Sequence, residues 1–484
     1  MQDGTPASNH SCVVRALLVV AAVLLIWLAL PPVGLAPLAL VALAPFLVAL
    51  EGLTPREALP YGFVYGFAAA AANSLWFLRV FPWYFAAPLW AIQAVPPTVF
   101  AIVHARAAKR GGVAFVVTSC AAWIAIDWFR SEVWHLRFAW FTLGHALGGS
   151  DVLRQNADLA GVYGLTLFAF ATSFAIERAV WFSRRGNGPG GTGKTFVILL
   201  VTLATNLAFA ARGNRVLGFA KDDESRSLKV LAVQDDRSVS ASGEARIQSK
   251  RRATIAALAS FSPDVIVWPE VSFLEDFERL GFKKPLAEIA RAASATFVFG
   301  SMRDIPESKR KHNAAVVLAP SGEEVAEYWK RNPVQFVEDL CLPGTEPTVV
   351  EIAGVRCGLL ICYDGTYSFV ARDLVHAGAE ALLVPTEDET EWGELQHRHH
   401  ALFYPLRACE VRRPIVRAAA SGITFALDAW GREIGRLPIF KPGTLPAVIH
   451  PNDTETPYSR GGWLLPHLMS VVAVLGVAFT VIKR

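Results

Sequence analysis

The chain has 484 residues, 53% of them hydrophobic and 18% charged, with a mean hydropathy of +0.36 and a net charge of +4. Ordinary soluble proteins carry about a quarter charged residues. Disordered chains and polybasic nucleic-acid tails are excluded, because both are polar and strongly charged. The charge is unevenly placed. Residues 1–212 hold 14 Lys/Arg and 8 Asp/Glu, and the remaining 272 residues hold 32 and 34. The first part suits lipid and the second suits water.

Apolar segments recur at 14–31, 34–50, 59–78, 84–105, 112–129, 159–181 and 195–211, with another at 463–482. Each approaches the ~20 residues that cross a bilayer, so eight spans are expected. The first reads as an anchor rather than a cleaved signal, since no small-x-small site precedes Pro31-Pro32. With the N-terminus inside, cytoplasmic segments carry Arg15, Arg56, Arg106, Lys109, Arg110, Arg178, Arg184, Arg185, Lys194, Lys483 and Arg484. The short outside loops carry only Arg79, Arg130, Arg137 and Arg154. This asymmetry follows the positive-inside rule. It predicts a membrane domain over 1–212 with seven helices, a non-cytoplasmic domain over 213–462, and a closing helix over 463–484 that returns the C-terminus to the cytoplasm.

Two stretches of the membrane part stand out. Gly188-Pro-Gly-Gly-Thr-Gly193-Lys194-Thr195 matches G-x-x-x-x-G-K-[ST], but a phosphate loop needs a strand before it and a helix on a parallel sheet after it. Apolar spans flank these letters, so they read as a basic cytoplasmic loop that binds no nucleotide. In Trp123-Ile-Ala-Ile-Asp127-Trp128-Phe-Arg130, the acid and the base are three apart and share a helix face. Phe138-Ala-Trp140 and Gly161-Val-Tyr163-Gly164 follow.

From 227 the pattern changes to short β-branched runs alternating with amphipathic stretches. Strands are predicted at Leu228–Gln234, Val265–Trp268, Thr296–Gly300, Ala314–Leu318, Cys357–Ile361, Ala381–Val384, Ile415–Ala418 and Ile423–Ala426. Helices are predicted at 243–260, 285–294, 367–377 and 394–412. This alternation argues a layered α/β fold, and chemistry in such folds sits at strand ends. Glu270 closes Val-Ile-Val-Trp-Pro-Glu, Cys362 closes Gly-Leu-Leu-Ile-Cys, and Lys330 follows the Ala-Val-Val-Leu strand and its turn. A lysine beside a cysteine favours its thiolate, and a glutamate takes the proton. The same lysine, with a backbone N–H after the cysteine, can hold the oxyanion of an acyl intermediate.

The order Glu270, Lys330, Cys362, with Trp268-Pro269-Glu270 and Ile361-Cys362-Tyr363 around them, resembles the nitrilase (carbon–nitrogen hydrolase) superfamily. Together with the spans, the chain resembles its membrane-embedded branch, the apolipoprotein N-acyltransferase family. Asp127-Trp128-Phe-Arg130, Phe138-Ala-Trp140, Gly161-Val-Tyr-Gly164, Pro343-Gly344, Gln396-His397, Arg407-Ala-Cys-Glu410-x-x-Arg413-Pro414 and Pro457-Tyr458-Ser-Arg460-x-Gly462 carry the likeness. The resemblance implies eight helices plus an αββα nitrilase-like sandwich inserted before the last span. It also implies an enzyme of the bacterial inner membrane with a periplasmic catalytic domain. Cys362 would take an acyl chain from a phospholipid such as phosphatidylethanolamine and pass it, through a thioacyl-enzyme, to the amine of a diacylglyceryl-cysteine on a lipoprotein. Glu270 would be the base and Lys330 the oxyanion donor, supported by Glu338, Tyr363 and Asp364, with no cofactor, metal or nucleic acid.

The chain departs from that family in several loops. Val334-Gln335-Phe336-Val337-Glu338 stands for Val-Pro-Phe-Gly-Glu, and Asp364 stands for a glutamate. An acidic run, Thr386-Glu387-Asp388-Glu389-Thr390-Glu391-Trp392-Gly393, replaces Asn-Asp-x-Trp-Phe-Gly. No Trp lies between Gln234 and Trp268, and Thr-Leu-Gly-His145-Ala-Leu replaces a Gly-Tyr-Ser-Gln type of sequence at 142–147. Two alternatives follow: a related acyltransferase or amidase using the same thioester on another amine or on water, or a catalytically idle membrane homologue. His397-Arg398-His399-His400 lacks the i, i+4 pair of a zinc site and reads as a surface helix face. Residues 387–391 read as a solvated loop. Of six cysteines (12, 120, 341, 357, 362, 409), all but Cys362 read as buried packing.

Overall fold

A computed structural model describes residues 11–185, 189–235 and 243–482, in two compact units: Met1–Val216 with Gly461–Arg484, and Leu217–Arg460. Lys483 and Arg484, counted above among the cytoplasmic charges, lie outside the described residues, as does Gly188.

Among the described residues of the first unit, six helices are long and apolar enough to cross a membrane: Cys12–Ala29, Trp83–Ala108, Gly112–Val133, Leu153–Arg184, Thr192–Gly218 and Gly462–Ile482. The second expected span is the shorter apolar stretch Ala36–Leu50, and the third is the 19-residue helix Pro55–Asn73. That helix opens on a capping box in which Thr54 and Glu57 satisfy each other's backbone N–H. It lies close against Trp83–Ala108: a Cβ on Gly62 or Gly66 would sit 2.7 Å from the Cα of Thr98 or Ala94. Small residues at such a seam let backbones approach, which is how helices associate without a hydrophobic driving force in lipid. Pro189–Gly218 is helical and follows the helix Ala157–Arg185, so Thr192–Thr195 lie in helical turns rather than in a strand-to-helix loop.

Asp127 and Arg130 form the ion pair their spacing suggested, at 2.6 Å. Arg130 also donates to the carbonyls of Phe138 (3.0 Å) and Trp140 (3.2 Å), tying the aromatic loop to the helix end. Gly161 breaks the helix Ala157–Arg185 with a φ of +67°, which glycine adopts without a Cβ clash. Just beyond the break, Tyr163 donates to Glu132 at 3.0 Å.

The second unit is built on two six-stranded sheets. Its strands are β1 Leu228–Gln234, β2 Val265–Val267, β3 Thr296–Asp304, β4 Lys311–Leu318, β5 Glu324–Trp329 and β6 Thr348–Ile352. They continue as β7 Val355–Leu359, β8 Ala381–Glu387, β9 Ile415–Ala420, β10 Phe425–Leu427, β11 Glu433–Arg436 and β12 Gly443–Ile449. The sheets run β12-β1-β2-β3-β4-β5 and β11-β10-β9-β8-β7-β6. In each, three central strands are parallel, β1-β2-β3 in one and β7-β8-β9 in the other. Alternation along the strands explains the layers. Val230, Ala232, Val265, Val267 and Val298 pack with Cys357, Leu359, Leu383, Val416 and Ala418 into one core between the sheets. Their neighbours Leu231, Val233, Ile266, Phe297 and Phe299 point the other way, onto Leu286, Ile289 and Ala290 of the helix Lys283–Ala293. Helix Ser368–His376 covers β7 on the far side of the second sheet. The expected αββα order of layers is therefore present.

Four strands were absent from the sequence reading: β5, β6, β11 and β12. All four are sheet edges. An edge strand is half exposed and carries charges or proline, so it lacks a continuous apolar run. Glu-Val-Ala-Glu-Tyr-Trp of β5 and Pro446 in β12 fit that description. The single helix expected over 394–412 is two, Glu394–Ala401 and Phe403–Val411, with Pro405 tolerated in the first turn of the second.

Replacing Gly66 by valine should force Pro55–Asn73 and Trp83–Ala108 apart. A thermal melt in detergent should show a loss of about 1–3 kcal/mol; an unchanged melting temperature would contradict the close approach.

Candidate active site

Three strand ends of the second unit converge. Glu270 lies in the turn after β2, Lys330 is the first residue past β5, and Cys362 opens the 3-10 turn Cys362–Thr366 beyond β7. Lys330 Nζ donates to Glu270 Oε1 and to Glu338 Oε2, each at 2.7 Å. Asn313, beside Lys330 across the β4–β5 ladder, donates Nδ2 to the same Glu270 Oε1 and to the second oxygen of Glu338, Oε1, also at 2.7 Å. Glu338 further accepts from the Val334 N–H at 2.6 Å. The backbone of Glu387, ending β8, serves two partners. Its N–H donates to Glu270 Oε2 at 2.8 Å, and its carbonyl accepts from Cys362 Sγ at 3.3 Å. Close approach of the backbone is required behind Glu270, where a Cβ on Gly300 would lie 2.5 Å from the Glu270 Cα.

Glu270, Lys330 and Cys362 are all buried, and burial dominates their electrostatics. It raises Glu270, and the Glu338 charge adds to that, while Lys330 opposes it; the net is a carboxyl held above its ordinary 4.5. Burial alone would lower Lys330, but the two carboxylates outweigh it and keep the ammonium charged. Burial and Glu270 push the Cys362 thiol well up, against the pull of Lys330. The resting site therefore carries a protonated thiol beside a carboxyl that holds its proton more tightly than an ordinary one. A carboxyl of raised proton affinity suits a base that takes a proton and returns it.

Cys362 has a φ of +47°, a strained conformation for a residue with a Cβ. Two contacts hold it there. Tyr404 donates its hydroxyl to the Cys362 carbonyl at 2.8 Å, and it fits because residue 365 is glycine, where a Cβ would meet the Tyr404 ring at 2.6 Å. Asp364 accepts from Tyr328 (2.7 Å), from Asn332 Nδ2 (2.7 Å) and N–H (2.9 Å), and from the Ile361 N–H (3.2 Å). It thus ties the segment after Lys330 to the turn that bears Cys362. Tyr363 is half-buried and packs edge-on against Tyr367 at 5.4 Å.

Several residues of this site gave no signal in the sequence. Asn313 sits mid-strand with nothing to mark it, and Glu387 contributes through backbone atoms. Two expectations fail. The histidine run is no surface face: His397, His399 and His400 are buried, and His400 Nδ1 meets Asp388 Oδ1 at 2.7 Å. The acidic run is not wholly solvated, since Glu387 and Asp388 are buried. Asp388 is carried inside by its ion pair with Arg417 and its contact with His400, so its burial is met by partners. Among the cysteines read as packing, Cys357 and Cys409 are buried, but Cys12 is exposed and Cys120 and Cys341 are half-buried. Gln396 is buried, and His397 Nε2 contacts the Glu389 carbonyl at 2.9 Å.

Residues 22–175 match the family model for the apolipoprotein N-acyltransferase N-terminal domain, and residues 238–456 match that for carbon-nitrogen hydrolase. The chain is 27% identical to an apolipoprotein N-acyltransferase of Geobacter metallireducens, with 93% of each chain aligned. It is 29% identical to one of Azotobacter vinelandii, over 97% of this chain and 95% of that one. Among solved structures it is similar to an amidase from Nesterenkonia sp., at 21% identity over 48% of this chain and 92% of that chain, with a TM-score of 0.38.

Asp364→Ala should strand the Tyr328 hydroxyl and the Asn332 and Ile361 donors. Each buried group left unsatisfied costs about 1–3 kcal/mol. A marked fall in melting temperature is expected; a neutral substitution would remove Asp364 from the support of the turn.

Proposed function

The chain belongs to the apolipoprotein N-acyltransferase family, and on that premise we propose how its own residues carry the acyl transfer. The carrying observation is the contact of Lys330 Nζ with Glu270 and Glu338 at 2.7 Å, next to a thiol and reached from separate strand ends. A phospholipid, phosphatidylethanolamine in the first instance, presents its sn-1 ester to Cys362. Glu270 takes the thiol proton as Sγ bonds the carbonyl carbon. Lys330 and the Tyr363 N–H hold the oxyanion. The intermediate collapses by breaking the ester C–O bond, and Glu270 returns the proton to the departing lysophospholipid oxygen.

The second half runs in the same site. The α-amine of a lipoprotein's N-terminal diacylglyceryl-cysteine attacks the thioester carbon. Glu270 accepts the amine proton, the C–S bond breaks, and the proton passes to Sγ, restoring the thiol. One carboxylate thus serves as base and acid in both halves.

The replaced loop at 386–393 is compatible with this chemistry, because Glu387 meets Glu270 and Cys362 through its backbone, which any residue supplies. Charge placement supports a multi-pass arrangement in the bacterial inner membrane. We place eight spans, both termini in the cytoplasm, and residues 213–462 on the periplasmic side. Both substrates are anchored in the leaflet on that side.

Incubating the purified protein with phosphatidylethanolamine should give a fatty-acyl adduct on Cys362 by mass spectrometry. Adding a diacylated lipopeptide should discharge it onto the peptide amine. Cys362→Ala should give no adduct, and Glu270→Gln should slow its formation by at least about a hundredfold. A stable adduct that the lipopeptide fails to discharge would point to another amine or to water; no adduct would point to an idle homologue.

A further inference from the structure

Behind the nucleophile lies a second buried ionic group with no place in the mechanism above. Asp388, just past β8, contacts Arg417 of β9 at 2.5 Å and His400 of the helix Glu394–Ala401 at 2.7 Å. Arg417 Nη2 lies 3.2 Å from His400 Nδ1, and its Nη1 donates to the Ile423 carbonyl at 2.6 Å. All three side chains are buried. Asp388, His400 and Cys362 place a carboxylate oxygen, a ring nitrogen and Sγ within 4.8 Å of one another. Such a trio invites a metal reading, but the Arg417 guanidinium already occupies the cation's position on Asp388.

Two features show that the group is built to fit. Residue 422 is glycine, and a Cβ there would lie 2.2 Å from Asp388 Oδ2. Arg417 also lies over the Tyr404 ring, 5.2 Å from its centroid, and Tyr404 is the residue that holds the Cys362 carbonyl. Asp388, Arg417 and His400 therefore reach the nucleophile twice, through space to Sγ and through Tyr404 to its backbone.

We propose that Asp388, His400 and Arg417 are positioning residues for the acyl-transfer reaction, in which Arg417 is a second cation behind the Cys362 thiolate and Asp388 sets how much of its charge the sulfur feels. The inference rests on Cys362 being the nucleophile. Its sign is fixed by the charges: Arg417 favours the thiolate and Asp388 opposes it. Burial would raise Asp388, but Arg417 and His400 hold it well below the usual carboxylate range, so it is charged whenever the enzyme works. Glu270 and Lys330 also act on the thiol. Tyr404 is in electrostatic contact with Cys362, Asp388 and Arg417.

The test is the pH profile of Cys362 alkylation by iodoacetamide in the full-length protein, read on the Cys362 peptide by mass spectrometry. Arg417→Gln should move the profile to higher pH and slow alkylation at pH 8 by about tenfold, as loss of a neighbouring cation does. Asp388→Asn keeps the shape and hydrogen bonds but frees the Arg417 charge, so its profile should move the opposite way, to lower pH. Arg417→Lys should stay close to the parent. Opposite shifts support the proposal. Shifts in the same direction, or none, overturn it, because a purely structural role has no sign. Should Arg417→Gln fail to fold, a downward shift in Asp388→Asn still supports the proposal and its absence overturns it. Alkylation needs no acyl donor, so a failure of the acyl-adduct experiment is scored separately.

Discussion

A lysine ammonium buried beside a thiol is the constraint on which the catalytic unit depends. Removing such a charge from water costs several kcal/mol, and it persists only where partners are placed to meet it. Lys330 has two, Glu270 and Glu338, and Asn313 also bridges the same carboxylates. The strand ends after β2 and β5, the turn bearing Glu338 and the middle of β4 must all arrive together for that charge to be met. Burial raises the proton affinity of Glu270, and the Glu338 charge adds to that against the opposing pull of Lys330.

The strands found from sequence are those whose two faces are both covered, since burial on both sides leaves a run of apolar residues that needs no alternation to be seen. β1, β2, β7, β8 and β9 are of this kind. β5, β6, β11 and β12 close the sheets at their rims, and their charges and proline are the protections an edge requires. The consequence reaches the active site: Lys330 is positioned by β5, an edge strand hidden from the sequence, although the lysine itself was visible. In the membrane unit, hydropathy marked the six long apolar helices of the described residues but not the glycines Gly62 and Gly66 as a seam, because close approach depends on the facing helix.

Glu270, Lys330 and Cys362 were legible because the proposed chemistry calls for a glutamate, a lysine and a cysteine. Their supports were not. Asn313 resembles any strand residue, Glu387 acts through its backbone, and Asp388, His400 and Arg417 have meaning only as a mutually neutralising group. The histidine and acidic runs each looked like surface when read alone. His400 and Asp388 are buried where they meet each other and Arg417 of β9, a fact that belongs to tertiary structure and to neither segment.

The most direct test of the central claim is the pH dependence of Cys362 acylation under single-turnover conditions, compared between the parent and Glu338→Gln. Glu270 must be deprotonated to accept the thiol proton, so acylation should fall as pH drops through a midpoint above 4.5. Removing the Glu338 charge removes one cause of that raised value, and the midpoint should move to lower pH. A midpoint unmoved by Glu338→Gln would contradict the coupling of the two carboxylates through Lys330.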